Sequence, residues 1–526
     1  MSTSESMASK QFHPPNQMKA PAAYGRHVTF TSLDQAGLDA EFDFVVVGSG
    51  AGGAAAAVIL ARAGYRVAVV EAGPWRAPED YPYSTYGTMR DIFPDWGTLV
   101  TQSRALWPIV QTSGVGGTTV ANSAIVVRTP SDCFDRWERE YGIPARDLEK
   151  RVWAHQDRIE NELYATEVPP DARGWSNVMA MDAADKLGWS SHYMVRYVKD
   201  CEGSGQCLQG CKRGRKQSTN LNYIPEVLER GGYVFSCAPV KSILFAGTRA
   251  VGVTGRFRDP DSKKFGARFT VRARRAVLMG ASATQSPILL ANSGFKSRAL
   301  GTLFRAHPGT GAFGVYDQIV DQNFGATQGW ASTAFRVDPG LKLETLALPP
   351  EMVAGRIPGG GTELIRRFRE FRHLTMWVAA VRAESVGTVK PNLFGKPVVK
   401  YVLDDRDMRK LRKGLSLVAR MHFEMGAKSI ICGVHGLPFK IGPDQLDLLE
   451  EGPLDPRAYV GILSHLFGGC PMSSDPRQGV VDGRGKVHGV EGLYVVDASA
   501  IPTNLGVNPQ HTIMGLASTW AESLVA

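Results

Sequence analysis

The stretch Phe42-Asp-Phe-Val-Val-Val-Gly48-Ser-Gly-Ala-Gly-Gly53 decides the fold of this 526-residue chain. Its apolar run is too short for a helix and is followed at once by glycines, which predicts a buried parallel strand that ends in a turn. Residues 54–63 are small and aliphatic and predict a helix that Gly64 ends. Residues 66–71 predict a second strand, so the stretch opens a β-α-β unit.

The glycines of this unit have the spacing GxGxxG. We expect Gly48 to permit the tight turn, Gly50 to let the backbone approach a pyrophosphate, and Gly53 to let the helix pack closely on the strand. Glu71, at the end of the second strand, can accept hydrogen bonds from an adenosine ribose and repels a 2′-phosphate. Strand, turn, helix and carboxylate together predict a dinucleotide site for NAD or FAD, rather than NADP or a glycine-rich turn without a ligand.

Two later segments have the same character as the first strand. Ala-Val-Leu-Met-Gly at 276–280 and Leu-Tyr-Val-Val-Asp at 493–497 are apolar runs that end in a small or acidic residue. If both join the first sheet, the dinucleotide domain is discontinuous. The region from about residue 304 to residue 463, with aromatic-rich segments at 328–330 and 374–378, would then form a second domain.

Composition and charge argue against several classes of protein, namely nucleic-acid-binding, secreted and membrane-spanning proteins. The chain has 60 Lys+Arg against 51 Asp+Glu, a modest basic excess for its length, so we predict no nucleic-acid partner. The most basic stretch, residues 211–216, is predicted to be a solvated face. The N-terminus lacks the features of a signal peptide, and no apolar run reaches the roughly 18 residues that span a bilayer. The sequence therefore predicts a cytoplasmic protein without a membrane span, whose seven cysteines are thiols or ligands rather than disulfides.

Further segments, taken with the GxGxxG unit, resemble the glucose–methanol–choline (GMC) oxidoreductases, a family of FAD-dependent enzymes. They are Gly114-Val-Gly-Gly117-Thr-Thr-Val-Ala-Asn122, Ser286-Pro-Ile-Leu-Leu-Ala-Asn-Ser-Gly294, His465-Leu-Phe-Gly-Gly-Cys470, Val-Val-Asp-Ala-Ser at 495–499 and Asn-Pro-Gln-His-Thr at 508–512. Within the family, residues 465–470 and 506–509 are most similar to segments of bacterial cholesterol oxidases and related alcohol oxidases.

The resemblance implies an α/β fold in which a Rossmann-like FAD-binding domain carries a second, substrate-binding domain built on an antiparallel sheet. The predicted division has a polar N-terminal extension at residues 1–38. It has a discontinuous FAD-binding domain at residues 39–130, 215–303 and 464–526. The predicted substrate-binding domain comprises residues 131–214 and 304–463.

The resemblance also implies which residues hold FAD. Gly117, Thr118 and Asn122 would lie along the pyrophosphate and the flavin ring, Val240 would contact the adenine, and Asp497 with Ala498 would meet the ribityl chain. Some family members attach the flavin through a histidine in the segment that contains Asn122. Because a carboxamide cannot form that bond, FAD is predicted to be non-covalent. The full predicted set is Gly48, Ser49, Gly50, Ala51, Gly52, Gly53, Glu71, Ala72, Gly117, Thr118, Asn122, Val240, Asp497, Ala498, Asn508, Pro509 and Thr512.

Oxidation of an alcohol requires removal of the hydroxyl proton while a hydride moves from carbon to flavin N5, so a base must reach the substrate oxygen. The resemblance implies that His465 is this base and that Asn508 orients the hydroxyl. His511 is predicted to pack behind the pocket. The predicted substrate is a bulky or apolar alcohol, and the electron acceptor is oxygen or an external carrier. Two alternatives stay open: a lyase with structural FAD, and an iron–sulfur-linked sugar or alcohol dehydrogenase.

Three cysteines lie close together in the sequence at Cys201, Cys207 and Cys211. Thiolates so close can bind a metal or an iron–sulfur cluster, and the spacing resembles that of family members that carry a [3Fe-4S] cluster. Three thiols fall short of the usual four-ligand set, so we assign no metal site and keep the cluster as an alternative. Residues Cys133, Cys237 and Cys432 are predicted to be small buried hydrophobes.

Overall fold

The computed structural model describes residues 25–31 and 37–525. Its strands are β1 His27–Val28, β2 Leu38–Val47, β3 Val67–Val70, β4 Ala165–Glu167, β5 His192–Tyr193, β6 Val195–Tyr197, β7 Tyr233–Phe235, β8 Val240–Ala246, β9 Arg249–Arg258, β10 Phe265–Met279, β11 Arg305–Val315, β12 Trp330–Ser332, β13 Leu341–Thr345, β14 Leu374–Val381, β15 Thr388–Pro391, β16 Pro397–Lys400, β17 Ser429–Ile431, β18 Ile462–Phe467 and β19 Leu493–Val495. Its α-helices are α1 Ala51–Arg62, α2 Thr85–Asp91, α3 Ser131–Tyr141, α4 Ala145–Glu162, α5 Trp175–Lys186, α6 Tyr223–Glu229, α7 Ser286–Asn292, α8 Pro350–Ala354, α9 Gly361–Phe368, α10 Asp405–Glu424, α11 Asp447–Glu450 and α12 Gln510–Glu522.

The first sheet has eight strands in the order β1-β7-β3-β2-β10-β9-β8, with β19 beside β10. Strands β1, β7, β3, β2, β10 and β19 run parallel, and the β10-β9-β8 end is antiparallel. Residues 67–70 are buried throughout, because parallel strands covered on both faces carry continuous apolar runs rather than an alternating pattern. The strands predicted at 42–48, 66–71, 276–280 and 493–497 all lie in this sheet, which confirms those predictions.

The glycine-rich turn brings three backbone segments into direct contact. Gly48 has φ +91°, and a Cβ there would lie 2.4 Å from the carbonyl oxygen of Gly280. A Cβ on Gly53 would lie 2.1 Å from the carbonyl oxygen of Gly48, and one on Gly52 would lie 1.8 Å from that of Val496. Helix α1 therefore begins pressed against the ends of β2 and β19, at distances that only glycine tolerates.

The second sheet is antiparallel and has seven strands, in the order β17-β11-β14-β13-β12-β5 with β18 beside β11. Strand β14 is buried over its whole length, and helix α10 packs on it. The two aromatic-rich segments predicted for this region supply Trp330 and Trp377, and both side chains are fully buried. A parallel sheet with a separate antiparallel sheet agrees with the predicted α/β fold.

The predicted residue boundaries of the two domains stay predictions. Strand β1 of the first sheet lies within the predicted N-terminal extension, and β18 crosses the predicted boundary between residues 463 and 464. Residues 1–24 and 32–36 of that extension lie outside the described residues. Among the helices of the described chain, none combines the length and apolar character needed to cross a bilayer.

We expect Gly53→Ala to destabilise the protein by about 1–3 kcal/mol, because the added methyl group overlaps a backbone oxygen in a packed core. Chemical denaturation followed by circular dichroism measures the difference. The matched control is Gly360→Ala, where an added Cβ has no neighbour within 4 Å in the described part of the chain. Equal stability of the two variants would contradict the close contact at the start of α1.

Candidate active site

The carboxylate of Glu71 stabilises the glycine-rich turn through hydrogen bonds. It accepts hydrogen bonds from the Ser49 N–H at 3.0 Å, the Ser49 hydroxyl at 2.7 Å and the Gly73 N–H at 3.0 Å. Burial raises the pKa of Glu71, and the hydrogen bonds from Gly73 and Ser49 act in the opposite direction. The Ser49 hydroxyl oxygen also accepts from the Gly116 N–H at 3.0 Å. Glu71 and Ser49 therefore hold the turn against the predicted flavin segment at residues 114–122.

The backbones of Gly50 and Gly117 lie against each other at the N-terminus of α1. A Cβ on Gly117, which has φ +50°, would lie 2.7 Å from Gly50 Cα. A Cβ on Gly50 would meet only the Gly117 Cα, at 3.8 Å. The N–H groups in the first turn of α1 have no intrahelical acceptor, and that turn carries no acidic side chain. N–H groups without an intrahelical acceptor, beside side-chain-free backbone, fit the pyrophosphate of FAD.

Asn122 links the 114–122 segment to helix α12. Its Oδ1 accepts from the Ala124 N–H at 2.9 Å, and its Nδ2 donates to Gln510 Oε1 at 2.6 Å. Thr118, in the same segment, has its hydroxyl 3.4 Å from the Thr112 hydroxyl. The predicted flavin segment is therefore held from both sides.

Asp497 connects the loop after β10 to the end of β19. Its carboxylate accepts from the Ser282 N–H at 2.9 Å, the Ser286 hydroxyl at 2.5 Å and the Ser499 N–H at 2.8 Å. Burial raises the pKa of Asp497, against the effect of these hydrogen bonds. Ala498 follows directly and begins a short 3-10 helix. The structure thus places this predicted pair beside the start of α1, which touches the preceding Val496.

The remaining predicted cofactor residues lie on the same framework. Ala51 begins α1, and Ala72 directly follows the residue after β3. Pro509 precedes α12, and Thr512 lies in its first turn. Val240 begins β8, two residues after Ala238, whose N–H donates to the Glu71 carbonyl at 2.8 Å.

His465 and Asn508 meet although they are 43 residues apart in the chain. His465 lies on β18, Asn508 precedes α12, and Asn508 Nδ2 is 3.4 Å from His465 Nε2. The other ring nitrogen, His465 Nδ1, is 3.3 Å from Nδ1 of His307 on β11. Burial lowers the pKa of His465 to about 4, with Glu344 acting in the opposite direction and Lys342 in the same direction.

Lys342 and Glu344 are site residues that the sequence reasoning missed. Both lie on β13 two positions apart and therefore on one face of the sheet. Lys342 Nζ donates to Glu344 Oε1 at 2.5 Å and to Asn508 Oδ1, and Gln328 Nε2 donates to Glu344 Oε2 at 3.0 Å. The two charged side chains are 1% and 5% exposed. Two opposite charges that alternate with leucines on a short strand were the available signal.

These contacts determine where the proton of His465 lies. An ammonium group only donates, so the Asn508 oxygen must face Lys342 and the amide NH₂ must face His465. Nε2 of neutral His465 then accepts, its proton lies on Nδ1, and Nδ1–H donates to His307. Burial lowers the pKa of His307 well below its ordinary value, which keeps that ring neutral. The arrangement presents an unprotonated Nε2, as a general base requires.

The side chain of His511 contacts residues other than His465 and Asn508, and its predicted position behind the pocket stays a prediction. It is fully buried on α12. Its Nδ1 lies 2.5 Å from the Tyr197 hydroxyl, and its Nε2 lies 2.9 Å from Glu160 Oε1. These contacts hold its ring away from the His465–Asn508 pair.

The three close cysteines surround two basic side chains, Arg196 and Lys216, and leave a cavity of about 10 Å³ between them. Among the described residues, no group of His, Cys, Asp and Glu side chains has the arrangement needed to hold a metal ion. A cavity near the lower limit for one water does not accommodate an iron–sulfur cluster. The residues present therefore do not fit that group.

The basic stretch 211–216 is only partly the solvated face that was predicted. Arg213 is exposed, but Lys216 is 2% exposed, so the prediction is wrong for that residue. Lys216 turns inward because its ammonium group donates to the backbone carbonyls of Val120, Asn122 and Cys207. The cysteines predicted as buried hydrophobes are buried, namely Cys133, Cys237 and Cys432.

Comparisons of sequence and of structure with known proteins each give matches over most of this chain. The family model for GMC oxidoreductases matches residues 42–309 with its N-terminal part and residues 383–517 with its C-terminal part. An uncharacterised GMC-type oxidoreductase of Mycobacterium tuberculosis is 34% identical over 490 residues, covering 92% of this chain and 76% of the relative. A long-chain-alcohol oxidase of Arabidopsis thaliana is 29% identical over 514 residues, covering 91% of this chain and 66% of the relative. A structure of Aspergillus oryzae formate oxidase, studied for the modification of its FAD, has a TM-score of 0.69 at 18% identity and covers 93% of this chain and 99% of that one.

We expect Lys342→Met to destabilise the protein by about 3–5 kcal/mol, because it leaves the Glu344 carboxylate buried without its partner. The double variant Lys342→Met/Glu344→Gln removes both charges and should recover much of that loss. Chemical denaturation measures both. The pKa of His465 should rise in the single variant, since Lys342 lowers it and Glu344 raises it; histidine NMR titration detects this. A single variant as stable as the wild type would contradict the buried ion pair.

Proposed function

This chain belongs to the GMC oxidoreductase family, and from that membership we propose that it oxidises an apolar alcohol to a carbonyl compound, with His465 as the base and Asn508 orienting the hydroxyl. The family makes it an FAD-dependent oxidoreductase that acts on CH–OH groups. The observation that carries the residue roles is the 3.4 Å approach of Asn508 Nδ2 to His465 Nε2, with Lys342 fixing the amide.

His465 and Asn508 make different contacts with the substrate oxygen. Nε2 of His465 accepts the hydroxyl proton, and the amide NH₂ of Asn508 donates to the same oxygen. Their separation of 3.4 Å is long for a hydrogen bond, so a substrate oxygen can replace this contact at little cost. FAD, when bound, accepts the hydride from the carbinol carbon. His307 accepts from Nδ1–H and so stabilises the imidazole in the orientation that keeps Nε2 towards the substrate.

FAD is proposed to be bound without a covalent link. Asn122 carries a carboxamide whose two ends are occupied by Ala124 and Gln510, and a carboxamide offers no nucleophile for attachment. The glycine backbone at Gly50 and Gly117 would hold the pyrophosphate. Glu71 would hold the adenosine, and the residues around Asn508 would hold the flavin.

The proposed substrate class is a long-chain or otherwise bulky apolar alcohol, with oxygen as the electron acceptor. Support comes from the long-chain-alcohol oxidase that is 29% identical to this chain. This chain spans about two thirds of that relative's length, so the substrate class is a proposal for the part that the two share.

Anaerobic reduction of the bound flavin tests the function directly. The FAD-loaded enzyme is mixed without oxygen with a long-chain primary alcohol, a sterol, benzyl alcohol, choline or glucose, and the flavin absorbance is followed. We expect the long-chain alcohol or the sterol to bleach the flavin with the highest kcat/KM. A lyase would convert its substrate and leave the flavin oxidised, and preferential bleaching by glucose would contradict the substrate class.

We expect His465→Ala to slow flavin reduction by about a hundredfold or more, because the general base is lost. The matched control is His435→Ala, which removes an exposed imidazole and should leave the rate unchanged. FAD released by heat denaturation is measured for both variants, so that slow reduction is not confused with loss of the cofactor. Near-normal reduction in His465→Ala would show that another group is the base.

The pH dependence follows from the lowered pKa of His465. A base with a lowered pKa stays unprotonated until the pH falls through that value, here about 4. We therefore expect kcat/KM for flavin reduction to stay level from about pH 7.5 to about pH 5.5 and to fall at lower pH. FAD content is checked at each pH. A midpoint near about 6.5, the ordinary histidine value, would contradict the buried environment of His465.

A further inference from the structure

Two basic side chains are buried together behind the predicted flavin segment. Arg196 is completely buried, and it donates from Nη2 to Cys207 Sγ at 2.9 Å and from Nε to the Ser123 carbonyl at 2.7 Å. Its Nη1 is buried and has no hydrogen-bond partner among the residues that the structure describes. Lys216 donates to three backbone carbonyls, one of them that of Cys207.

These two charges need a counterion. Burial of a charge is costly unless an opposite charge accompanies it, and carbonyl dipoles satisfy hydrogen bonds without supplying a net charge. Within the described chain, the negative groups that act most strongly on Arg196 are the three cysteine sulfurs, with Cys207 first. Cys207 is the one of them in contact with the guanidinium, so it is the counterion that the site requires.

We propose that Cys207 is a reactive thiolate and a site of oxidation by hydrogen peroxide. The thiolate attacks one peroxide oxygen, so that an S–O bond forms and the O–O bond breaks. Sulfur loses two electrons and becomes a sulfenic acid that keeps the proton of the attacked oxygen, and the departing oxygen leaves as hydroxide, which takes up a proton to become water. The site goes beyond the proposed alcohol oxidation, and peroxide can be supplied directly, so neither proposal depends on the other.

The surroundings favour Cys207 over its neighbours. Arg196 Nη1, without a partner and lining the cavity, can donate to the departing oxygen. Cys207 lines the same cavity and is 9% exposed. Burial raises the pKa of Cys207, but the charges of Arg196 and Lys216 outweigh it and lower that pKa to about 7. For Cys201, burial dominates and the pKa is raised.

The first test uses the wild-type holoenzyme. It is exposed to hydrogen peroxide at a series of pH values, catalase stops the reaction, and the chain is denatured in dimedone, which labels sulfenic acid. Mass spectrometry then quantifies the label on each of the seven cysteines. We expect Cys207 to be labelled at least about tenfold faster than Cys201 or Cys211, with a rate that rises through about pH 7 and then levels. Equal labelling of the three, or a midpoint near the ordinary thiol value of about 8.5, would overturn the proposal.

A variant tests the electrostatic cause. Arg196→Gln removes the contacting charge and should slow oxidation of Cys207 about tenfold or more, whereas Arg213→Gln, at an exposed residue lining the same cavity, should not. FAD content and circular dichroism establish that each variant is folded. If Arg196→Gln does not fold, Arg196→Lys retains the charge and should retain rapid oxidation. Unchanged oxidation in a folded Arg196→Gln variant would also overturn the proposal.

Discussion

The structure depends on the direct contact of backbone segments at the start of α1. Gly48 lies against Gly280, and Gly52 lies against Val496, at distances where a side chain would overlap a carbonyl oxygen. Because β2, β10 and β19 are parallel, their carboxyl ends share one edge of the sheet, and these contacts draw the following loops to the same helix terminus. Val496 in the C-terminal segment therefore lies against Gly52, although more than 440 residues separate them in the chain.

Strands of the antiparallel sheet supply the two side chains that contact Asn508 in the candidate active site, His465 and Lys342. Strand β18 carries His465 and pairs with β11, which carries His307, while Lys342 reaches Asn508 from β13. The ion pair between Lys342 and Glu344 is buried, so its orientation is strongly constrained. It acts on His465 through Asn508. Because an ammonium group can only donate, the Asn508 oxygen must face Lys342 and the Asn508 NH₂ must face His465. The tautomer of the candidate base is thus determined by a residue on another strand of the same sheet.

Sequence alone could predict the parts of the fold that local patterns control. The apolar runs at 42–48 and 66–71 and the spacing of the glycines specify strands and a turn by steric rules, and the structure confirms them. The pair of His465 and Asn508 came only from family resemblance, because no local pattern relates residues on different elements. Lys342 was missed for the same reason, since 166 residues separate it from Asn508. Lys216 was placed wrongly because a run of basic residues does not reveal which side chain turns inward.

Basic side chains are buried at two sites, Lys342 at one and Arg196 with Lys216 at the other. Each buried charge needs a counterion, and the counterions differ. At Lys342 the counterion is a carboxylate, which peroxide does not oxidise. Lys342 can therefore act in catalysis without oxidation of its counterion. At Arg196 and Lys216 the counterion is a thiolate, which is a nucleophile. Those two cations also hold the carbonyls of residues 120, 122 and 123, beside the predicted flavin position. The negative charge of Cys207 therefore supports the flavin segment indirectly, and any reaction that changes this charge acts on that segment through Arg196 and Lys216.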